Sequence, residues 1–147
     1  MRVVKLACVF LVLLCVMACN KVERTTVCTI NYDGVDVVNT VVSSGKDVKM
    51  VTYQNTMVVE ESLIPYMKTT VEEYAEKVWK IPGISYNYKF EDNVLVETTL
   101  IDYMNVNMQQ LYELGLLEKV DGKLPETIDY EASIEGMRIL GCECKEQ

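Results

Sequence analysis

Six cysteines carry the most reactive chemistry in this chain of 147 residues. Cys142-Glu143-Cys144 sets two thiols one residue apart near the C-terminus, and two thiolates at that spacing can share a soft metal ion or exchange a disulfide. Cys28 is available to either scheme, but no third or fourth metal ligand stands beside the pair, so the spacing alone is a weak metal signature. The chain contains no histidine, which removes Ser-His-Asp and Cys-His catalysis, imidazole zinc sites and the usual neutral-pH proton shuttle together. Glu60-Glu61 and Glu72-Glu73 are the neighbouring carboxylates that acid–base or divalent-metal chemistry would need. On an acidic protein such pairs usually form a solvated face, and the second has a capping role described below. Tyr86, Tyr88 and Phe90, with Tyr53 and Tyr32, could make an aromatic ligand platform on a sheet, but a sheet face covered by a helix has the same composition. These residues predict no enzyme, no cofactor and no metal site.

The N-terminus has a chemistry of its own. Arg2 and Lys5 form a short positive region, Leu6 to Met17 supply about a dozen apolar residues, and Ala18 is a small residue directly before Cys19. The apolar run is shorter than the roughly 17 to 25 residues needed to cross a bilayer. Residues 1–18 therefore read as a signal peptide.

The string Val16-Met17-Ala18-Cys19 resembles the lipobox of bacterial lipoproteins: an aliphatic residue, a tolerant position, a small residue and the cysteine. The resemblance implies diacylglyceryl transfer to the Cys19 sulfur and cleavage after Ala18. With about 0.8 kcal/mol per buried methylene, two acyl chains hold stably where one is marginal. The expected partner is thus the lipid bilayer of the bacterial cell membrane, reached through acyl chains such as palmitate on Cys19, with the domain facing outside the cytoplasm.

Cleavage discards Cys8 and Cys15, and also Arg2 and Lys5 but no acidic residue, so the net charge of −8 becomes about −10. That charge argues against nucleic acid and against adsorption to an anionic surface. The remaining 129 or so residues suffice for one domain burying roughly two-thirds of its unfolded surface. With Cys19 lipidated, Cys28, Cys142 and Cys144 remain, and thiols outside the cytoplasm tend to be oxidised. One disulfide from Cys28 to either member of the C-terminal pair would close a loop of roughly 100 residues or more, worth about 4 to 5 kcal/mol on the chain-entropy account.

The elements that must position these groups follow from patterning. Residues 19–24 form the lipidated cysteine and a polar tether without fixed structure, leaving 25–147 as the domain. Thr25 to Met57 is rich in Val and Thr and is broken at Asp33-Gly34 and over residues 43–47, which predicts three antiparallel strands. Residues 58–69 read as irregular. Thr70-Val71-Glu72-Glu73 supplies a capping box opening a helix with Val71, Tyr74, Ala75, Val78 and Trp79 at helical spacing, ended by Pro82-Gly83. Glu73 with Lys77, and Glu76 with Lys80, would pair along it. Ile84, Tyr86, Tyr88 and Phe90 alternate with polar residues as a strand, turning at Asp92-Asn93 into a partner over Val94 to Tyr103. Met108, Leu111 and Tyr112 suggest a short helix, Asp121-Gly122 and Pro125 a loop. Tyr130, Ile134 and Met137 outline a last helix with Gly141 just past its end. The order predicts an α+β fold: an antiparallel sheet of about five strands in two hairpin-type groups, packed by a central helix and a C-terminal helix.

Taken together, the lipobox at Cys19, the Thr-Val-Cys-Thr start around Cys28, the hairpin from Ser85 to Tyr103 and the ending from Gly141 to Lys145 resemble the YehR-like family of small bacterial lipoproteins, whose function is not established. The resemblance implies a small α+β domain displayed outside the cytoplasmic membrane and no known reaction. It also makes Cys28 to Cys144 the preferred disulfide, with Cys142 as the alternative partner. The resulting expectation is a lipid-anchored extracytoplasmic module with a non-catalytic binding or structural role, directed at an envelope protein or a small ligand. The alternative is a thiol-active or soft-metal-binding envelope protein using Cys142 and Cys144.

Overall fold

Val- and Thr-rich segments joined by tight turns build the first three strands. In the computed structural model, which describes residues 22–147, strand β1 (Glu23–Tyr32) turns at Asp33-Gly34 into β2 (Val35–Ser44). Both turn residues have positive φ, 50° and 81°, as the right-handed twist of a two-residue hairpin requires. Gly45-Lys46 then leads into β3 (Asp47–Val58), with a register shift between Val42 and Ser43 that leaves Lys49 as an extra residue on β3. The bulge matters because it lets Val48 and Val51 point to the same face.

A 3-10 turn (Glu61–Leu63) runs directly into helix α1 (Ile64–Val78), which crosses one face of the sheet and returns as β4 (Ile84–Glu91). β4 turns at Asp92-Asn93 into β5 (Val94–Asp102). Helix α2 (Met108–Glu113) and helix α3 (Tyr130–Ile139) follow, and strand β6 (Glu143–Glu146) ends the chain. The strands form one antiparallel sheet in the order β4-β5-β3-β2-β1-β6. The fold is α+β, with a central helix and a C-terminal helix on the sheet.

Three boundaries differ from expectation, each for a physical reason. Helix α1 begins six residues before the Thr70 capping box: Pro65 occupies its first turn, where its missing N–H costs nothing. Thr70 lies inside the helix and its hydroxyl donates back to the Tyr66 carbonyl at 3.0 Å, so it caps nothing. The sheet has six strands because Glu-Cys-Lys-Glu, too short and polar to show alternation, pairs with β1. Finally, β1 already includes Glu23 and Arg24, which face Ser44 and Ser43 across the ladder. Arg24 reaches Glu131 on α3 at 2.8 Å and lies 4.1 Å over the Tyr130 ring, so these two residues are not tether. Cys19 and residues 1–21 generally lie outside the described residues.

Both long helices lie on the same face, and they divide it. Under α3, Cys28, Val41, Val48 and Val51 pack with Tyr130 and Ile134. Under α1, Val71, Ala75 and Val78 pack on Tyr86, Leu95 and Val59. At Gly83 the connection from α1 to β4 has φ +85°, and a Cβ there would stand 2.6 Å from the Val106 backbone nitrogen. Only glycine permits both that conformation and that approach.

Candidate functional site

The cysteines separate by strand pairing. Cys28 on β1 faces Cys144 on β6, and the two form a disulfide spanning 116 residues. Cys28 is completely buried, while Cys142 is free and half-buried. Helix α3 fixes where β6 starts: the Gly141 N–H bonds the Arg138 carbonyl (2.9 Å) and the Cys142 N–H that of Met137 (3.0 Å), a left-handed cap with Gly141 at φ +94°. Cys142 therefore sits in the turn and Cys144 in the ladder. Among the described residues no group of three or more His, Cys, Asp or Glu could hold a metal ion. Glu60, Glu61, Glu72 and Glu73 are all exposed.

The aromatic row divides as well. Tyr86 is 2% exposed, and its ring meets Tyr74 of α1 edge-on at 4.9 Å and Tyr88 at 6.0 Å. Phe90 packs beside them, whereas Tyr32 is 73% exposed at the far end of β1. Tyr53, on β3, borders the α3 cluster. Most of the row is core under α1, as helix-covered sheet faces usually are.

Between the two clusters the covered face turns polar, and here the molecule has a cavity of about 440 Å³. Tyr53 and Asn55 of β3 with Glu97 and Thr99 of β5 make its floor; Met67, Val71 and Tyr74 of α1 make one wall. The register explains the floor, since Asn55 pairs with Glu97 and Tyr53 with Thr99 across β3 and β5, and Tyr86 pairs with Thr99 from β4. The Tyr86 hydroxyl donates to Oε1 of Glu97. Burial first, and then this carboxylate, push the Tyr86 phenol well above its usual range. Burial and the Glu97 charge raise Tyr74 likewise. Tyr53 is raised by burial, partly offset by the Tyr103 hydroxyl, and Tyr103 is raised by burial and by Tyr53.

Comparison with solved structures gives an 18% identical neighbour, the YehR protein of Escherichia coli solved by NMR, at a TM-score of 0.69 over 84% of this chain and 91% of that one. The chain has the YehR fold. A second NMR structure with the same fold, a protein from Streptococcus pneumoniae TIGR4, is 19% identical with a TM-score of 0.59, covering 86% of this chain and 84% of that one. No protein-family model and no curated protein sequence matches the chain. At these identities the likeness is one of backbone architecture.

Glu97 and Asn55 are the site residues that patterning overlooked. Leu95, Glu97, Thr99 and Ile101 share one face of β5, with apolar ends and a polar middle, and that interruption was the available signal. It was hidden because the opposite face, Val94, Val96, Thr98 and Leu100, is the more apolar of the two.

Proposed function

We propose that this chain is a member of the YehR-like family and an exported lipoprotein, anchored by acyl chains on Cys19 and facing outside the cytoplasm, whose domain binds a small ligand without chemistry on it. The anchoring part rests on the positive, apolar and small-residue order of residues 1–18 before Cys19. Among the described residues no helix is long and apolar enough to cross a membrane. Because β1 starts at Glu23, the four steps from Cys19 span at most about 14 Å when extended, which would hold the sheet close to the bilayer surface.

The binding part rests on one observation: a cavity beneath α1 whose floor carries a carboxylate, an amide and a hydroxyl beside apolar walls. Small-molecule sites are typically concave and apolar with a few placed polar groups. Thiol chemistry is less favoured because Cys144 is already paired with Cys28, leaving Cys142 without a free thiol beside it among the described residues.

Two measurements test this reading. Metabolic labelling with palmitate and membrane fractionation should show label and sedimentation in the wild type and neither in Cys19→Ala; equal sedimentation of both would overturn the anchor. Mass mapping of the oxidised protein should give Cys28 joined to Cys144 and a free Cys142. A Cys142–Cys144 pair with free Cys28 would instead support thiol exchange.

A further inference from the structure

We propose that the cavity under α1 takes a small organic ammonium ion with a short apolar arm, its cationic head against Glu97. This rests on the reading of that cavity as a ligand site and names the ligand's class.

Glu97 is half-buried, and a carboxylate is uncommon on the helix-covered face of a central strand, since even partial desolvation is costly unless its charge is met. Glu97 occupies that position on β5, between β3 and β4. Among the described residues it is the only charged side chain lining the cavity, and no Lys or Arg lines it. Among the described residues its one hydrogen-bond donor is the Tyr86 hydroxyl, on Oε1, so Oε2 is left for a ligand or water.

The surrounding groups extend the match. Asn55 lies directly across the ladder from Glu97, at a spacing of about 5 Å between Cβ atoms typical of such pairs. The Thr99 hydroxyl is two residues along the same face. A carboxylate, an amide oxygen and a hydroxyl together suit a head group bearing several N–H donors. Tyr53, Tyr74 and Tyr86 add aromatic rings, whose faces attract cations, while Met67 and Val71 offer an apolar wall for an aliphatic arm. An anionic ligand would meet Glu97 uncompensated. A purely apolar one would leave the polar floor desolvated.

The test uses the full chain in non-ionic detergent, with three probes of nearly one size, n-butylammonium, tetramethylammonium and 1-butanol, followed by titration calorimetry. n-Butylammonium should saturate one site at least tenfold more tightly than 1-butanol, and Glu97→Gln should remove that tenfold preference while leaving butanol binding unchanged. Tetramethylammonium tighter than n-butylammonium would still support a cation site, carried by the rings rather than by N–H donors. Equal binding of n-butylammonium and butanol would overturn the ammonium assignment and leave the ligand-site reading standing. No binding of any probe would overturn both. If Glu97→Gln fails to fold, the comparison of probes on the wild type decides alone.

Discussion

The two halves of the covered face hold themselves together differently. Under α3, a helix of 10 residues and an edge strand of four residues are secured by a covalent bond between β1 and β6. Under α1, a helix of 15 residues lies over β4 and β5 with no cross-link, and the packing leaves a cavity at its inner border. A strand as short as β6 offers few ladder bonds, so the half that contains it gains most from a staple on the chain ends. The half with the longer helix can rely on packing and can leave space for a ligand.

The strongest way to break this contrast is to remove the staple. Replacing Cys28 and Cys144 together by alanine should lower unfolding stability by about 4 to 5 kcal/mol, the entropy of a loop this long, measured by urea denaturation against the oxidised wild type. A loss below 1 kcal/mol would mean that β6 is held by its ladder. On the other half, Leu95→Ala removes a fully buried side chain beneath α1 and should cost about 2 to 4 kcal/mol with the disulfide intact. Gly83→Ala combines a φ of +85° with a 2.6 Å backbone approach and should cost about 1 to 3 kcal/mol, read as a lower thermal midpoint. Asp129 accepts the Ala132 N–H at 2.9 Å as the N-cap of α3, and Asp129→Ala should cost about 1 kcal/mol.

Under ordinary conditions the smallest effect is that of pH. Tyr53, Tyr74, Tyr86 and Tyr103 all have raised folded-state pKa values. Their contribution is complete below the unfolded tyrosine value of about 10 and is lost as pH rises above it, because the unfolded chain then releases protons that the folded one retains. Urea midpoints should be flat from pH 7 to 9 and fall beyond 10, with tyrosinate absorbance appearing on unfolding. Tyr86→Phe should shallow that fall; an unchanged slope would place the buried titration elsewhere.

Local patterning reached the strands of residues 25–57 and the β4–β5 hairpin because their alternation and turns are written over consecutive residues. Asp33-Gly34 and the row from Ile84 to Phe90 need no distant partner to be read. The start of α1 escaped because a proline in a first turn and a proline in a loop look the same until the helix is seen. β6 escaped because a polar four-residue strand exists only through its neighbour. Pairing of Cys28 with Cys144 rather than Cys142 was implied by family resemblance and not by spacing.

What the sequence determined by itself, then, is the order of apolar and polar residues along each element, and with it an α+β sheet covered by helices. Tertiary structure decided which face of β5 is covered, and so that Glu97 lies half-buried beneath α1 and not on the open side. Both faces of that strand are apolar enough to be buried, so only the cross-strand register with β3 and β4 and the placement of α1 could choose between them.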